Sequence, residues 1–415
     1  MIFVYYKTKC ISLLGFIMKN FFIYLFCTFF AFNTFAQEDL SLIDLFGEEE
    51  NKQSEDTDKA PQKNFSQPKA EQKTQNSTEE QVIEDGKKSK ISDFFSFLNI
   101  PFFRTKDPAK QQELSRQENE PQENYVQRLS RLATDGDVDA ALSLGYMYLY
   151  GVNGVKNDNE KAFKFYSIAA EQNDDIAINN LGSLYYSGIG TERNIPEATK
   201  LFEKATQMGN TESAVNLAFV YLTQNKEFDS KLRSTIVRLF NQAAEADNIT
   251  AQYMLGMIYY KGFAIAKNDI KAFSYIKKAA EEYDEAQYQL ALMYMNAEGT
   301  TKNYKNAVES LIRAGRQGHI KAMILLGDIL SEGKNYPKNL VGAYIWYNIA
   351  SVYTQDAEEK RDAIEAMLKL ENILPAQEEA GKYKPAPTET TSYIKKTFGE
   401  NIADYLNMIQ KEPAY

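Results

Sequence analysis

The chain has 415 residues, 44% of them apolar, a formal net charge of −10 and a pI of about 5.1. That length suits two or three ordinary domains or one extended array, and the acidic balance argues against a nucleic-acid partner, whose phosphates call for a clustered basic surface. With two cysteines, Cys10 and Cys27, and one histidine, His319, the chain offers too few ligands or nucleophile–base pairs for the usual zinc or Ser-His and Cys-His centres. No metal and no cofactor are therefore expected.

Residues 18–36 read MKNFFIYLFCTFFAFNTFA. Lys19 gives a short positive region, Phe21 to Phe32 an apolar core of twelve residues, and Thr34-Phe35-Ala36 small residues at the −3 and −1 positions of a cleavage site. This is the pattern of a secretory signal peptide, with Met18 as the expected start and residues 1–36 removed. The competing reading is an uncleaved anchor from Ile11 to Phe35, interrupted by Lys19; its apolar core is shorter than the roughly 20 residues that span a bilayer. Membrane association is expected only in that case. Cleavage would leave a mature chain with no thiol. Tyr24-Leu25-Phe26 is too bulky to make Cys27 a lipoprotein cysteine.

Residues 37–120 are dominated by Gln, Glu, Lys, Ser, Asn and Asp. Such a stretch buries too little apolar surface to offset chain entropy, which predicts a disordered tether. Two apolar islands interrupt it, Leu40–Phe46 and Phe94–Phe103. They read either as short binding motifs or, for the second, as a segment docked on the first helix of the repeat region.

From Tyr125 the pattern becomes helical and repetitive. A Leu position recurs at Leu144, Leu181, Leu217, Leu255, Leu290 and Leu326, in steps of 37, 36, 38, 35 and 36 residues. A fixed period in this range marks a solenoid of supersecondary units. The next position is always Gly or Ala: Gly145, Gly182, Ala218, Gly256, Ala291, Gly327. Two helix backbones are expected to approach closely there. Tyr148, Tyr185, Tyr221, Tyr259 and Tyr294 follow on the same face of a first helix, A. Gly151, Gly188, Gly262 and Gly333 are placed to end it in the left-handed conformation. Gln224 and Ala297 stand there in the third and fifth copies, so those turns are expected to differ. A second helix, B, begins near Asn157/Asp158, Asn268/Asp269 and Asn303, residues that cap helix starts, and carries Ala162, Ala198, Ile236, Ala272, Ala307 and Ala343 inward.

The cleanest copy, Ala251–Ala280, combines A-x-x-x-L-G-x-x-Y-x-x-G with a K-A-containing helix from Lys271-Ala272 to Ala279-Ala280. It resembles the Sel-1-like repeat family, a relative of the tetratricopeptide repeat. The resemblance covers residues 125–352 and is weakest in the third copy. It implies an all-α, right-handed α-solenoid of about six antiparallel helix pairs, and an adaptor that assembles other proteins in a bacterial envelope or a host. Together with the signal peptide it predicts a periplasmic or secreted protein of a Gram-negative bacterium.

Residues 121–352 are thus expected as the array, 353–382 as a charged capping helix of the kind solenoids need, and 383–415 as a loop with a last helix from Tyr393. A solenoid binds through the concave surface lined by its first helices. Positions there that face away from the Ala/Leu/Tyr stripe are Tyr-, Met- and Leu-rich, and contiguous exposed apolar surface marks an interaction site. The expected partner-binding residues are Tyr146, Asn179, Asn180, Tyr186, Asn216, Phe219, Tyr253, Met257, Tyr260, Tyr288, Leu292 and Met295, the asparagines as clamps on a peptide backbone. Packing between repeats is the competing role for each. No catalytic residue is expected. Glu281, Glu282, Asp284 and Glu285 cluster as candidate acids for glycan chemistry, but charges between repeats are ordinarily solvated; His319, in an inter-repeat turn, is expected to contact solvent or a neighbouring helix. The expected function is a non-enzymatic scaffold for a protein or peptide partner. A cell-wall or glycan-acting enzyme and a periplasmic regulator of a membrane sensor are the alternatives.

Overall fold

The computed structural model describes residues 122–224 and 228–409. The expected signal peptide, the expected tether and both apolar islands of the sequence lie outside the described residues.

Among the described residues there are seventeen helices and no strand. Helix α1 (Gln122–Thr134) leads into six A/B pairs: α2 (Val138–Tyr150) with α3 (Asn159–Glu171), α4 (Asp175–Ser187) with α5 (Ile195–Gln207), α6 (Thr211–Gln224) with α7 (Ser230–Glu245), α8 (Ile249–Lys261) with α9 (Asp269–Ala279), α10 (Asp284–Asn296) with α11 (Tyr304–Arg316), and α12 (Ile320–Glu332) with α13 (Leu340–Ser351). Each helix packs on its neighbours in sequence. The molecule is an α-solenoid whose buried core falls into two clusters, one from α1 to the second pair and one from α5 to the C-terminal helices.

Local chemistry sets the helix ends. Asp137, Asp174 and Asn248 start A helices and Asp158, Asn194, Asn268, Asn303 and Asn339 start B helices, each accepting a backbone N–H three residues on. Four A helices end on a left-handed glycine: Gly151, Gly188, Gly262 and Gly333. The fifth does not differ in geometry as expected. Ala297 itself takes φ 60° and closes the turn, in a conformation that a Cβ disfavours.

The Gly/Ala position is where A and B touch. A methyl added at Gly256 would lie 2.6 Å from Ile276 Cγ1; at Gly145 it would meet the Tyr166 ring at 2.9 Å, at Gly182 the Phe202 ring at 2.9 Å. The repeats with a glycine at this position thus set a large B side chain directly on the A backbone, and Trp346 lies buried in the last pair.

The C-terminal part departs from one capping helix and one last helix. The cap is two helices, α14 (Gln355–Glu365) and α15 (Leu370–Lys382), both packed on α13. Tyr344 ties them, donating to Glu365 at 2.8 Å and accepting from Gln377 at 3.1 Å. Pro375 lies inside α15, where its missing N–H removes one intrahelical bond. The final segment also divides, into α16 (Glu389–Phe398) and α17 (Asp404–Ile409), broken at Gly399 with φ 97°. These two helices run back along the array.

Candidate functional site: the A-helix groove and the segment that fills it

The return of the C-terminal segment can be followed residue by residue. Tyr383 Oη donates to Gly315 O at 2.7 Å, and the Ala386 N–H to Arg316 O at 2.9 Å. At the turn between α9 and α10, Thr388 Oγ1 donates to Glu282 O at 2.7 Å, and the Thr390 hydroxyl bonds the Glu282 carboxylate. Thr391 is fully buried; its hydroxyl faces Gln317 Oε1 at 2.6 Å and accepts the Asp284 N–H at 3.1 Å. Tyr393 Oη reaches Glu212 Oε2 at 3.0 Å, and Lys395 Nζ meets Asp284 Oδ2 at 2.6 Å. Phe398 then stacks on Phe219 at 4.1 Å with the ring planes 22° apart, and Tyr405 meets the same ring edge-on at 5.5 Å. Ile394, Ile402 and Leu406 are buried completely. The segment descends from repeat six to repeat three, against the direction in which the repeats are numbered.

Repeat five is shaped for it. Its A helix starts at Tyr283, which makes no side-chain cap bond, where other A helices have Asp, Asn or, in repeat six, His319. Thr391 takes the first free N–H of α10 in place of that cap. The ring of Tyr283 is buried edge-on against Tyr253 at 5.1 Å.

Two carboxylates lie under the segment. Burial raises the pKa of Glu212 above the ordinary glutamate value, against the opposing hydrogen bonds from Tyr393 and Asn248. Burial likewise raises Asp284, although Lys395 pulls it down. For Lys395 burial acts downward, but Asp284 and Glu400 together prevail and raise it. The lysine therefore stays charged, and the strained member of the pair is the aspartate.

A polar ladder joins successive A helices at their N-termini. Asn210 Nδ2 donates to Asp175 at 2.9 Å, Asn248 Nδ2 to Glu212 at 2.8 Å, and His319 Nε2 lies 2.8 Å from Glu285. His319 Nδ1 accepts the Ala322 N–H, so Nε2 carries the proton and donates. His319 is thus a buried cap stacked on Tyr288 at 4.7 Å; of the two expectations for it, contact with a neighbouring helix is the one realised, not contact with solvent. The acids near residue 282 are likewise engaged: Glu282 holds threonines, Asp284 holds Lys395, Glu285 holds His319. Asp284 is fully buried, not solvated.

The expected binding residues fall into three groups. Asn179 and Asn216 bind each other, not a peptide backbone: Asn179 Oδ1 accepts from Asn216 Nδ2 at 3.0 Å and from Ser213 Oγ at 2.8 Å, joining α4 to α6, with Asn180 buried alongside. Phe219, Tyr253 and Met257 are buried, at 6%, 1% and 5% exposure, so they do not form the open apolar face expected of them. Phe219 lies against the returning segment itself. Tyr146, Tyr186, Tyr260, Tyr288, Leu292 and Met295 are half-buried. Tyr260 donates to Glu298 at 3.1 Å and so bridges repeats; Tyr146 leans on Tyr150 at 4.6 Å. The sequence signal that points to Phe219 is its place among non-repeating A-helix positions. Glu212, Glu282 and Gln317 carry no such signal, because a charged or amide residue at an inter-repeat turn reads as solvated.

Among the described residues no three His, Cys, Asp or Glu side chains converge as a metal site, and no helix is long and apolar enough to cross a membrane. The geometry is that of a helical-repeat groove holding a peptide segment. Residues 138–174, 175–210, 249–284, 284–319 and 320–351 match the Sel1 repeat, and the chain belongs to the Sel1-like repeat family. The third pair is the one left unmatched. Chitin synthase regulatory factor 3 of Schizosaccharomyces pombe is 28% identical over 204 residues, covering 47% of this chain and 22% of the relative. Alginate biosynthesis protein AlgK of Azotobacter vinelandii is 29% identical over 133 residues, covering 32% of this chain and 28% of the relative. The chain thus spans less than a third of either relative's length. Among solved structures, a Sel1 repeat protein from Oxalobacter formigenes is 27% identical, with a TM-score of 0.47, covering 55% of this chain and 92% of that one.

Proposed function

We propose that the chain is a non-enzymatic scaffold, exported to the periplasm or beyond, that holds a protein partner in the concave groove of its A helices. The observation that carries this reading is the groove's own occupant. A-helix and inter-repeat side chains engage a peptide segment through an aromatic stack, a buried ion pair and hydroxyl contacts. Such a mixture of aromatic anchor and directed polar contacts is how a surface selects a peptide. Relatives named for regulating a chitin synthase and for alginate biosynthesis support a scaffold in an assembly of the cell envelope. The signal-peptide pattern of residues 18–36 supports export.

The test is in-cell photo-crosslinking from the full chain with the crosslinker at Tyr186, at the end of the groove beside Phe219. Discrete crosslinked partners are expected, and Phe219→Leu, which keeps an apolar side chain against Phe240 of α7, should weaken them while helicity is kept. Crosslinks that persist unchanged in Phe219→Leu would place the partner elsewhere on the molecule. N-terminal sequencing of the recovered protein decides export: residue 37 first, in a periplasmic or culture fraction, is the expected result, and an intact Met18 in membranes the opposing one.

A further inference from the structure

The returning segment fits its groove well at one end and poorly at the other. At repeat five the fit is specific. Thr391 caps α10, Gln317 and Glu282 read the threonine hydroxyls, and Asp284 takes the lysine. At repeat three, Phe398 and Tyr405 reach Phe219 but leave a cavity of about 50 Å³ lined by Asn216, Thr223 and Phe202. Asn216 Oδ1 is buried there with no hydrogen-bond partner, and Asn180 Nδ2 is likewise unpartnered. A buried polar atom left unpaired keeps its full desolvation penalty. A second opening of about 530 Å³ runs along the middle of the segment, beside the well-fitted threonines, with Pro387, Thr390, Tyr393 and Lys396 on one side and Asn248 and Thr250 on the other.

The array side of this interface is also unlike a permanent core. Glu212, Asp284, Gln317 and Asn216 are polar groups that the segment removes from water. A surface meant never to be exposed would satisfy itself with apolar side chains, since burying carboxylates is unfavourable. Polar lining with an aromatic anchor is the composition of a surface that is open part of the time.

We infer that residues 383–406 are an internal stand-in for a partner peptide, and that the groove of repeats three to five takes a Thr/Ser-rich turn leading into a short amphipathic helix with a lysine and an aromatic one turn on. In this chain the pattern is Thr388, Thr391, Lys395 and Phe398. The hydroxyls of such a ligand complete the start of α10, its lysine pairs with Asp284, and its aromatic covers Phe219. A ligand that also carries a donor toward Asn216 fills what the internal segment leaves empty and displaces it. This rests on the groove-binding reading and adds the chemistry of the ligand and the competitor already in place.

The experiment uses the full chain and, as probe, a fluorescein-labelled peptide of residues 383–409. The wild-type chain should bind it weakly, because the tethered copy competes at high effective concentration. Full-chain Lys395→Glu/Phe398→Asp, whose groove is unchanged, should bind it at least tenfold more tightly by fluorescence anisotropy, and a probe carrying Lys395→Glu should lose that gain. Thr391→Val is the milder opening, for use where the double variant loses helicity, and should tighten binding in the same direction. Equal binding of the probe to opened and wild-type chains with intact helicity overturns the inference. If crosslinked partners nevertheless depend on Phe219, the groove reading stands and only the stand-in fails. If they do not, both fail.

Discussion

The ion pair between Lys395 and Asp284 gives the sharpest handle on how the returning segment is held. Asp284 is completely buried, Lys395 is 20% exposed, and Nζ lies 2.6 Å from Oδ2. Removing one member of a buried pair costs roughly 3–5 kcal/mol, because the other charge is left uncompensated. Two features lower that figure for Lys395→Met. The Glu285 N–H still donates to Asp284 at 2.8 Å, and Lys395 is partly solvated and shared with Glu400 at 3.2 Å. The expected loss is therefore about 2–3 kcal/mol at neutral pH. The segment can also lift off and return Asp284 to water, so the loss cannot exceed the free energy with which the segment docks. Hydrogen exchange separates the two routes. Amides of α16 should lose protection by the full amount, and those of α8 by much less. The sign with pH is fixed. Burial raises Asp284 in the folded state, so protonation favours the folded form, and the penalty in Lys395→Met shrinks as pH falls through the raised value. Asp284→Asn/Lys395→Met should recover most of the loss at neutral pH. A double variant as unstable as the single one, or a loss that is the same at acid and neutral pH, would refute an uncompensated aspartate as the cause.

Three further perturbations test the architecture. Glu212 is raised by burial, so its contribution to stability is complete below the ordinary glutamate pKa and is lost as pH rises through the raised one; Glu212→Gln should flatten that dependence and cost less than about 1 kcal/mol at pH 7 by urea denaturation. Gly256→Ala drives a methyl to 2.6 Å from Ile276 Cγ1, with the Ile276 amide nitrogen at 3.2 Å behind it, and should destabilise by about 1–3 kcal/mol. Ala297→Gly relieves a left-handed alanine at φ 60° and should stabilise by about 0.5–1 kcal/mol, since Gly takes that conformation at little cost; a loss on thermal unfolding would show that the methyl is packed.

The period, the small residue after each repeat leucine and the glycine helix ends are legible in the sequence because they are local requirements repeated along the array, six times for the small residue and four for the glycine. Repetition turns a weak signal at Gly145 or Gly151 into a strong one. The groove is half legible. Phe219 stands out as a large ring off the core stripe, but what covers it lies 179 residues further along the chain, at Phe398. Nothing in the local pattern around Thr391 or Lys395 says that they face Gln317 and Asp284. Asn179 and Asn216 mislead for a related reason. An asparagine on an A helix satisfies itself as readily from the next A helix as from a peptide, and only the stacking distance decides.

The place where the repeat pattern fails is informative in its own right. The third pair is the one that family matching leaves out, with Ala218 in place of the glycine and Gln224 at the helix end. It is also where the returning segment ends. Glu212 receives Tyr393, and Phe219 receives both Phe398 and Tyr405. At the Phe219 position the other repeats carry Tyr146, Ser183, Met257, Leu292 and Asp328, and none of these meets Phe398 or Tyr405 in a ring contact. Packing within a solenoid constrains every repeat alike, since each sees the same neighbours. The residue at this position differs from repeat to repeat, so the shared packing does not fix it, and at Phe219 the docked helices supply a contact from outside the stack. On this argument Phe219→Leu, which suits the A/B core equally well, should leave the melting of the array nearly unchanged while freeing α16 and α17. An unfolding midpoint that falls with no change in α16 protection would return Phe219 to the ordinary core.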